Sequence, residues 1–231
     1  MKKCADADVA VNARAVVVLS GGQDSATALA LAVKKHGPDK VAAITFKYGQ
    51  NHSLEVRYAR NLAKRFKIAA HKVVKMEFMG ELAESSLLKP GAQITQKEGQ
   101  VCPSTVVEGR NAFFLQAAAV WAKTLSAHEV WTGVSEADFS GYPDCRACFI
   151  RAQQKVASLA LNFKIKIVTP FMNCTKADEW RIADELGIMD VIDNFTLTCY
   201  RGVPGSGCGE CPACILRRRG REEYLKERKA K

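Results

Sequence analysis

The sequence lacks a long apolar run. Among its 231 residues, the longest strongly apolar stretch without a charge is residues 111–122, which is too short to cross a bilayer. The first fourteen residues contain two lysines but no apolar segment like that of a secretory signal. Internal repeats and low-complexity tracts are also missing. These absences argue against a membrane protein, a secreted protein and a repeat array. We expect a single cytoplasmic domain, residues 1–231.

Cysteine is sparse through most of the chain and crowded near its end. Of nine cysteines, five are scattered, and four lie within sixteen residues: Cys199, Cys208, Cys211 and Cys214. Several glycines between these four supply the turns that would fold them around one ion. Four thiolates form the donor set of a structural Zn²⁺ site, so we predict a zinc-binding and helical segment over residues 195–231. An iron–sulfur cluster and four unliganded thiols are the alternatives.

Basic residues outnumber acidic ones, giving a net charge of +10. Residues 215–231 contribute much of this excess, with eight Lys or Arg and three Glu. A basic patch of this kind can bind a polyanion such as ATP or nucleic acid. Since the charges of both signs alternate at helical spacing, a solvated helix face is the alternative.

Strand-like and helix-like segments alternate along the chain. Short apolar or β-branched runs predict strands at residues 15–19, 41–46, 71–76, 129–134 and 164–169. Helical spacing predicts helices at residues 25–33, 54–66, 111–125, 149–161 and 175–186, the last with a capping box at Thr175 and Asp178. This alternation predicts an α/β fold with an open, doubly wound, five-stranded parallel sheet. Residues 76–108 break the pattern after a short helix at 77–87, and form either a lid-like insertion or a surface excursion.

The sequence SGGQDS at residues 20–25 lies between the first predicted strand and the first predicted helix. Ligands bind at such junctions in open α/β sheets, because glycines let the backbone approach an anion and the helix start presents N–H groups. Ser20 and Ser25 could donate to phosphate, while Asp24 could hold Mg²⁺. A tight turn capped by Asp24 or Ser25, without ligand, is the alternative. The predicted pyrophosphate-binding residues are Leu19, Ser20, Gly21, Gly22, Gln23, Asp24 and Ser25.

This loop resembles that of the N-type ATP pyrophosphatases, the PP-loop superfamily with the adenine nucleotide alpha-hydrolase-like fold. Further stretches across the chain resemble the 7-cyano-7-deazaguanine synthase (QueC) family. They are residues 16–25, 48–52, 109–111, 132–146, 169–170 with Lys176, and 198–200 leading into the four cysteines. Two positions depart from the family pattern, Asn51 and Glu108.

The resemblance implies an ATP-dependent ligase of queuosine biosynthesis, acting as a homodimer with ATP, Mg²⁺ and Zn²⁺. It implies that 7-carboxy-7-deazaguanine and ammonia become 7-cyano-7-deazaguanine through an adenylated acid and an adenylated amide. Asp24, Arg110 and Lys176 are then the candidate catalytic residues, although Arg110 and Lys176 could instead form surface ion pairs. Carboxylates and aromatic faces suit the deazaguanine ring, so Asp138, Phe139, Tyr142 and Asp144 are candidates to bind it. A loop with a capping Asp is the alternative there.

Two other functions compete with this interpretation. The first is a tRNA-thiolating enzyme of the same superfamily, with Cys102, Cys145 or Cys174 carrying a persulfide. The second is a zinc-stabilised binding module without catalysis, which leaves the loop at residues 20–25 unexplained. Because no RNA-binding appendage is recognisable, we expect small-molecule substrates and no stable nucleic-acid partner.

Overall fold

The computed structural model describes residues 11–49, 54–83, 85, 88, 104, 106–136 and 142–230. Its centre is a parallel sheet of five strands in the order β3-β2-β1-β4-β5. The strands are β1 (Ala15–Val18), β2 (Val41–Lys47), β3 (Ala70–Lys75), β4 (Glu129–Trp131) and β5 (Lys166–Val168). The predicted open, five-stranded parallel sheet is confirmed.

Eight α-helices lie in the described part of the chain. They are α1 (Gln23–His36), α2 (Leu54–Arg65), α3 (Met79–Leu82), α4 (Arg110–Thr124), α5 (Ala147–Leu161), α6 (Lys176–Glu185), α7 (Met189–Phe195) and α8 (Pro212–Lys229). The predicted capping box is confirmed at the start of α6, where Thr175 and Asp178 bond reciprocally. Helix α7 was not predicted, and α3 occupies only four residues of the predicted range 77–87. No helix in these described ranges has both the length and the apolar character that a bilayer span needs.

Helices cover both faces of the sheet. Successive β1 residues point to opposite faces, so Val16 packs with Phe114 of α4 and Ile150 of α5 in one core, while Val17 belongs to the other core. That second core also holds Leu29, Leu62, Trp180 and Ile192, from α1, α2, α6 and α7. Two apolar layers of this kind bury a sheet whose strands are apolar on both sides.

The strand order fixes the place of the candidate site. Strands β2 and β3 lie on one side of β1, and strands β4 and β5 lie on the other. The direction in which successive strands are added therefore reverses at β1. A crevice opens beyond the carboxyl ends of the strands at such a switch point. The predicted loop after β1 lies at this crevice. Residues 89–103 of the predicted insertion fall outside the described residues.

Candidate functional site

The loop after β1 is held from two sides. Gly21 has φ +96°, and a Cβ atom there would lie 2.7 Å from the carbonyl oxygen of Glu55 in α2. On the other side, the Leu197 amide donates to the Gly21 carbonyl at 2.8 Å. A left-handed φ and this close backbone contact both require glycine at position 21. These contacts fix the shape of the loop.

Ser25 braces the loop from within. Its Oγ accepts from the amides of Ser20 and Gly21 at 3.2 and 3.3 Å, and donates to the Gly22 carbonyl at 3.1 Å. A hydroxyl has one proton to donate, and this one is used inside the loop. In this conformation Ser25 shapes the loop, and its donation to phosphate stays a prediction.

Gln23 is the first residue of α1 and is almost fully buried, with 1% of its surface exposed. Among the residues that the structure describes, neither the nitrogen nor the oxygen of its side-chain amide has a hydrogen-bond partner. A buried polar group without a partner costs roughly 1–3 kcal/mol. Because Gln23 lines the cavity described next, its unsatisfied amide is the kind of group that a polar ligand would satisfy.

A cavity of about 310 Å³ opens beside this loop. Most of the residues predicted from the sequence line it together: Leu19, Ser20, Gly22, Gln23, Asp24, Ser25, Arg110, Tyr142 and Lys176. Gly21 is not part of the lining and supports the loop from behind. The structure thus brings residues from distant parts of the chain to the switch point of the sheet.

Lys176, at the start of α6, reaches the loop. Its Nζ lies 2.8 Å from Asp24 Oδ1 and 2.9 Å from Glu179 Oε1. Only 8% of the Lys176 side chain and none of Glu179 is exposed, whereas 41% of the Asp24 side chain is. A Cβ on Gly220 of α8 would lie 2.6 Å from Lys176 Cβ, so α8 packs directly on this lysine. The surface ion-pair alternative is therefore wrong for Lys176.

The charges of this group are unevenly shared. Desolvation by the surrounding protein opposes ionisation of Asp24, but the ammonium of Lys176 and weaker contributions from neighbouring groups together outweigh it, so the pKa of Asp24 is lowered. Burial, with Asp24 nearby, raises the pKa of Glu179 well above its ordinary value. Lys176 and Asp24 thus form the ion pair, and Glu179 is a buried carboxyl that holds the ammonium in place.

Arg110, the first residue of α4, lies among aromatic side chains. Its guanidinium is 5.8 Å from the ring of Tyr48 and 5.7 Å from that of Tyr142, and Nη1 donates to the Tyr48 hydroxyl at 3.4 Å. Burial would lower the pKa of Arg110, but the electrostatic effect of Tyr48, Tyr142 and Tyr200 raises it. Arg110 is therefore a permanent cation held over π faces at the cavity wall.

Two of the four residues predicted to bind the ring can be placed. Tyr142 lines the cavity. Asp144 is buried and accepts from the backbone and side-chain amides of Asn111 at 2.8 and 3.2 Å, near the start of α4. Its carboxylate is thus used as a cap, as in the alternative interpretation, and it does not line the cavity. Asp138 and Phe139 lie outside the described residues.

Sequence reasoning missed three residues at this site: Glu179, Thr198 and Arg217. Arg217 of α8 is 6% exposed and lines the cavity, and its Nη2 donates to the Ile192 carbonyl at 2.7 Å. In the sequence it belongs to a basic run that favours a solvated helix. Only the packing of α8 reveals that this arginine points inward.

The four predicted zinc ligands come together beside the cavity. The sulfur atoms of Cys199, Cys208, Cys211 and Cys214 all lie within 4.8 Å of one another. Tetrahedral Zn²⁺ with Zn–S bonds of about 2.3 Å separates its sulfurs by about 3.8 Å, so the donor set and spacing fit this ion. A Cβ on Gly207 would lie 2.2 Å from Cys214 Sγ, so a glycine is needed where the loop wraps the cluster.

Two solved structures are similar to this chain. The NMN synthetase from Francisella tularensis is 21% identical, with a TM-score of 0.46, over 78% of this chain and 64% of that one. The NH3-dependent NAD synthetase from Campylobacter jejuni subsp. jejuni NCTC 11168, solved in complex with the nitrate ion, is 14% identical, with a TM-score of 0.47, over 77% and 66%. The chain thus spans slightly less than two thirds of the length of these structures.

One protein family is matched along most of the chain. The family model of the queuosine biosynthesis protein QueC matches residues 14–225. The matched range includes the loop after β1, the cations Arg110 and Lys176, and all four clustered cysteines. The chain therefore belongs to the QueC family.

Proposed function

We propose that this chain uses ATP to convert 7-carboxy-7-deazaguanine and ammonia into 7-cyano-7-deazaguanine (preQ0), in queuosine biosynthesis. Family membership supports the substrate. One structural observation carries the proposal: the glycine loop lines one cavity with the cations Lys176, Arg110 and Arg217, and the buried side-chain amide of Gln23 in this loop has no partner among the described residues. Such a site suits a polyphosphate and a planar acid together.

The chemistry explains why ATP is needed. A carboxylate is a poor electrophile because its oxygen cannot leave. Transfer of AMP to that oxygen releases pyrophosphate, and attack by ammonia then expels AMP and leaves the amide. A second transfer of AMP, to the amide oxygen, allows loss of AMP and protons to give the nitrile. The protein mainly has to position the reactants and stabilise developing charge.

We assign the loop at residues 19–25 to pyrophosphate and the two cations Lys176 and Arg110 to the phosphates and the oxyanion. Mg²⁺ usually binds one or two carboxylates and completes its shell with phosphate oxygens and water. Asp24 and Glu55 line the cavity, so these residues fit such an ion, with Asp24 as the proposed ligand. Tyr142, with Asp138 and Phe139, is proposed to bind the deazaguanine ring. Asp144 would act indirectly, through the start of α4.

We propose that Zn²⁺ is held by the four cysteines in a closed, structural site within one domain, 1–231. The packing of α8 on α6 supports a single unit, because it joins the C-terminal segment to Lys176. A cytoplasmic homodimer belongs to the same proposal. Size-exclusion chromatography with light scattering tests the dimer, and metal analysis of the purified protein tests the zinc.

The tRNA-thiolating alternative is weaker on a specific observation. Cys145 lines the cavity, but burial and the nearby Asp144 carboxylate raise the pKa of its thiol to about 12. A sulfur-transferring cysteine must reach its thiolate form readily. Cys102 lies outside the described residues. A binding module that acts through its basic tail would leave the cavity beside the loop at residues 20–25 unexplained.

The decisive experiment supplies the proposed substrates and identifies the product. The protein is incubated with 7-carboxy-7-deazaguanine, ATP, Mg²⁺ and ammonium, and the products are analysed by mass spectrometry with a pyrophosphate assay. We expect the mass of the nitrile and two pyrophosphates released for each nitrile formed. Accumulation of the amide would overturn the second step. No turnover, together with salt-sensitive tRNA binding, would favour thiolation instead.

A further inference from the structure

We propose that the Thr198 hydroxyl is a further ligand of the nucleotide phosphates, oriented by the protein to donate its proton into the cavity. The proposal rests on the proposed function, because it names an additional donor at that same site. Thr198 lies between α7 and the cysteine cluster, directly before Cys199, and lines the cavity. Thr198 belongs to the stretch 198–200 that resembles the QueC family, but neither that resemblance nor a local sequence pattern assigns its hydroxyl a role.

Protein donors face both lone pairs of the Thr198 hydroxyl oxygen. Thr198 Oγ1 accepts from the backbone N–H of Gln23 at 3.2 Å. It also accepts from Arg217 Nη1 at 3.5 Å, which is at the long end of the range for a hydrogen bond. A threonine hydroxyl has two acceptor positions and one proton. With both acceptor positions facing protein donors, only the proton remains, and among the described residues it has no acceptor. An anionic oxygen in the cavity would provide one.

A neighbouring threonine shows what a purely structural hydroxyl looks like here. Thr196 Oγ1 also accepts from Arg217 Nη1, at 3.4 Å, but it donates its own proton to the Ile192 carbonyl at 2.6 Å. It is fully buried and does not line the cavity. The two hydroxyls touch the same guanidinium, yet only that of Thr198 has an unused proton.

The surroundings of Thr198 favour an anion. The guanidinium of Arg217 polarises the hydroxyl and adds positive potential, and the first turn of α1 lies beside it. Gln23 contributes twice here: its backbone N–H donates to Thr198, and its side-chain amide is unsatisfied among the described residues. The Leu197 amide fixes the Gly21 carbonyl at 2.8 Å, so the segment 197–198 and the phosphate loop form one rigid pair. A phosphate held by the loop would therefore meet the Thr198 proton.

The test measures binding of inorganic pyrophosphate, and of ATP with Mg²⁺, to the purified protein by isothermal titration calorimetry. Thr198→Val should weaken pyrophosphate binding by about tenfold or more, as expected for loss of a hydrogen bond to a charged group. Thr198→Ser keeps the hydroxyl and should stay within about threefold of the unmodified protein. Thr196→Val removes a buried hydroxyl that touches the same arginine, and should leave the affinity unchanged. Metal content and urea unfolding of each variant show whether the cluster and fold persist.

Each outcome decides something. Undiminished binding by Thr198→Val, failure of Thr198→Ser to restore affinity, or an equal loss in Thr196→Val would overturn the inference while leaving the proposed function in place. Absence of pyrophosphate and ATP binding in the unmodified protein would overturn the proposed function as well. A selective loss in Thr198→Val at a stability matching that of Thr196→Val supports the assignment.

Discussion

At the residue scale, the most consequential group is the ammonium that two carboxyls hold at the loop. Replacing Lys176 with Met should lower the rate of pyrophosphate release about 100-fold, the usual effect of losing one charge-stabilising donor. The fold should survive, because the raised pKa of Glu179 lets it stay neutral without its partner. A pyrophosphate-release assay and urea unfolding measure the two effects. Lys40→Met, which removes an exposed lysine beside Asp39, is the control; an equal rate loss there would contradict the assignment.

The two loop glycines should respond differently to a methyl group. Gly21→Ala meets both a left-handed φ and the Glu55 carbonyl, so we expect it to lower the free energy of unfolding by about 1–3 kcal/mol and to displace the loop. Gly22 has φ −82°, and its nearest neighbour to an added Cβ is 3.6 Å away. Gly22→Ala should therefore fold normally. Chemical unfolding compares them, and equal stabilities would show that the loop is not held as described.

The sequence was sufficient to predict the loop at residues 20–25, but not the residues that hold it in place. SGGQDS is informative because it lies at one strand–helix junction, so local pattern and position agree. Glu179, Thr198 and Arg217 carry no such local signal, and the partners of the ion pair between Asp24 and Lys176 are 152 residues apart. Ser25 and Asp144 have side chains that suit ligand binding, yet in the structure both form hydrogen bonds to other protein groups. Such long-range pairing depends on how α6 and α8 pack, which local periodicity does not encode.

At the scale of elements, the turn that wraps the cysteine cluster offers a matched pair of glycines. Both Gly205 and Gly207 have positive φ, but an added Cβ at Gly205 meets nothing within 4 Å. Gly207→Ala should displace Cys214 Sγ and lower the zinc content of the purified protein. Gly205→Ala incurs backbone strain alone and should keep its metal. Elemental analysis distinguishes them, and equal metal content would count against the wrapped geometry.

The edge strand β3 is tied to the site through a histidine. His71 Nε2 lies 2.8 Å from the Thr45 hydroxyl, which donates to the Leu19 carbonyl at 2.6 Å, so His71 is the donor to Thr45. Burial, with Arg60 nearby, lowers the pKa of His71 to about 4. Neutral His71 thus contributes stability that is fully present above about pH 6.5 and is lost as the pH falls towards 4.

His71→Gln should make the free energy of unfolding less dependent on pH between 6.5 and 4. Urea titrations at several pH values measure the slope. An unaltered slope in His71→Gln would contradict the neutral, buried state of this imidazole.

The elements themselves were largely predictable. Strands β1 to β5 start within two residues of their predicted positions, because apolar β-branched runs next to turn residues are a strong local signal. Helix α7 was missed because its seven residues are too few for helical periodicity to stand out. The inward side of α8 was also hidden, since Arg217 and Gly220 face α6 within a sequence dominated by exposed charge.

At the scale of the whole molecule, the cysteine cluster joins the C-terminal helix to the body. Binding of structural Zn²⁺ contributes on the order of 10 kcal/mol to small metal domains. A strong chelator should therefore release zinc, lower Tm and expose α8 to protease, and the protein should be colourless before treatment. Thermal unfolding and limited proteolysis follow these effects. A brown protein containing iron would instead identify the iron–sulfur alternative.

The loop at residues 19–25 is held in place by a later part of the chain, through Leu197, Thr198 and Arg217, and this has a consequence for folding during protein synthesis. The ribosome makes the loop first, and Thr198, which bonds the backbone amide of Gln23, follows 175 residues later. A nascent polypeptide that ends before residue 197 would carry the glycine loop without these supports. The nucleotide site proposed at this loop is therefore expected to be complete only after α8 has been translated and has folded against α6.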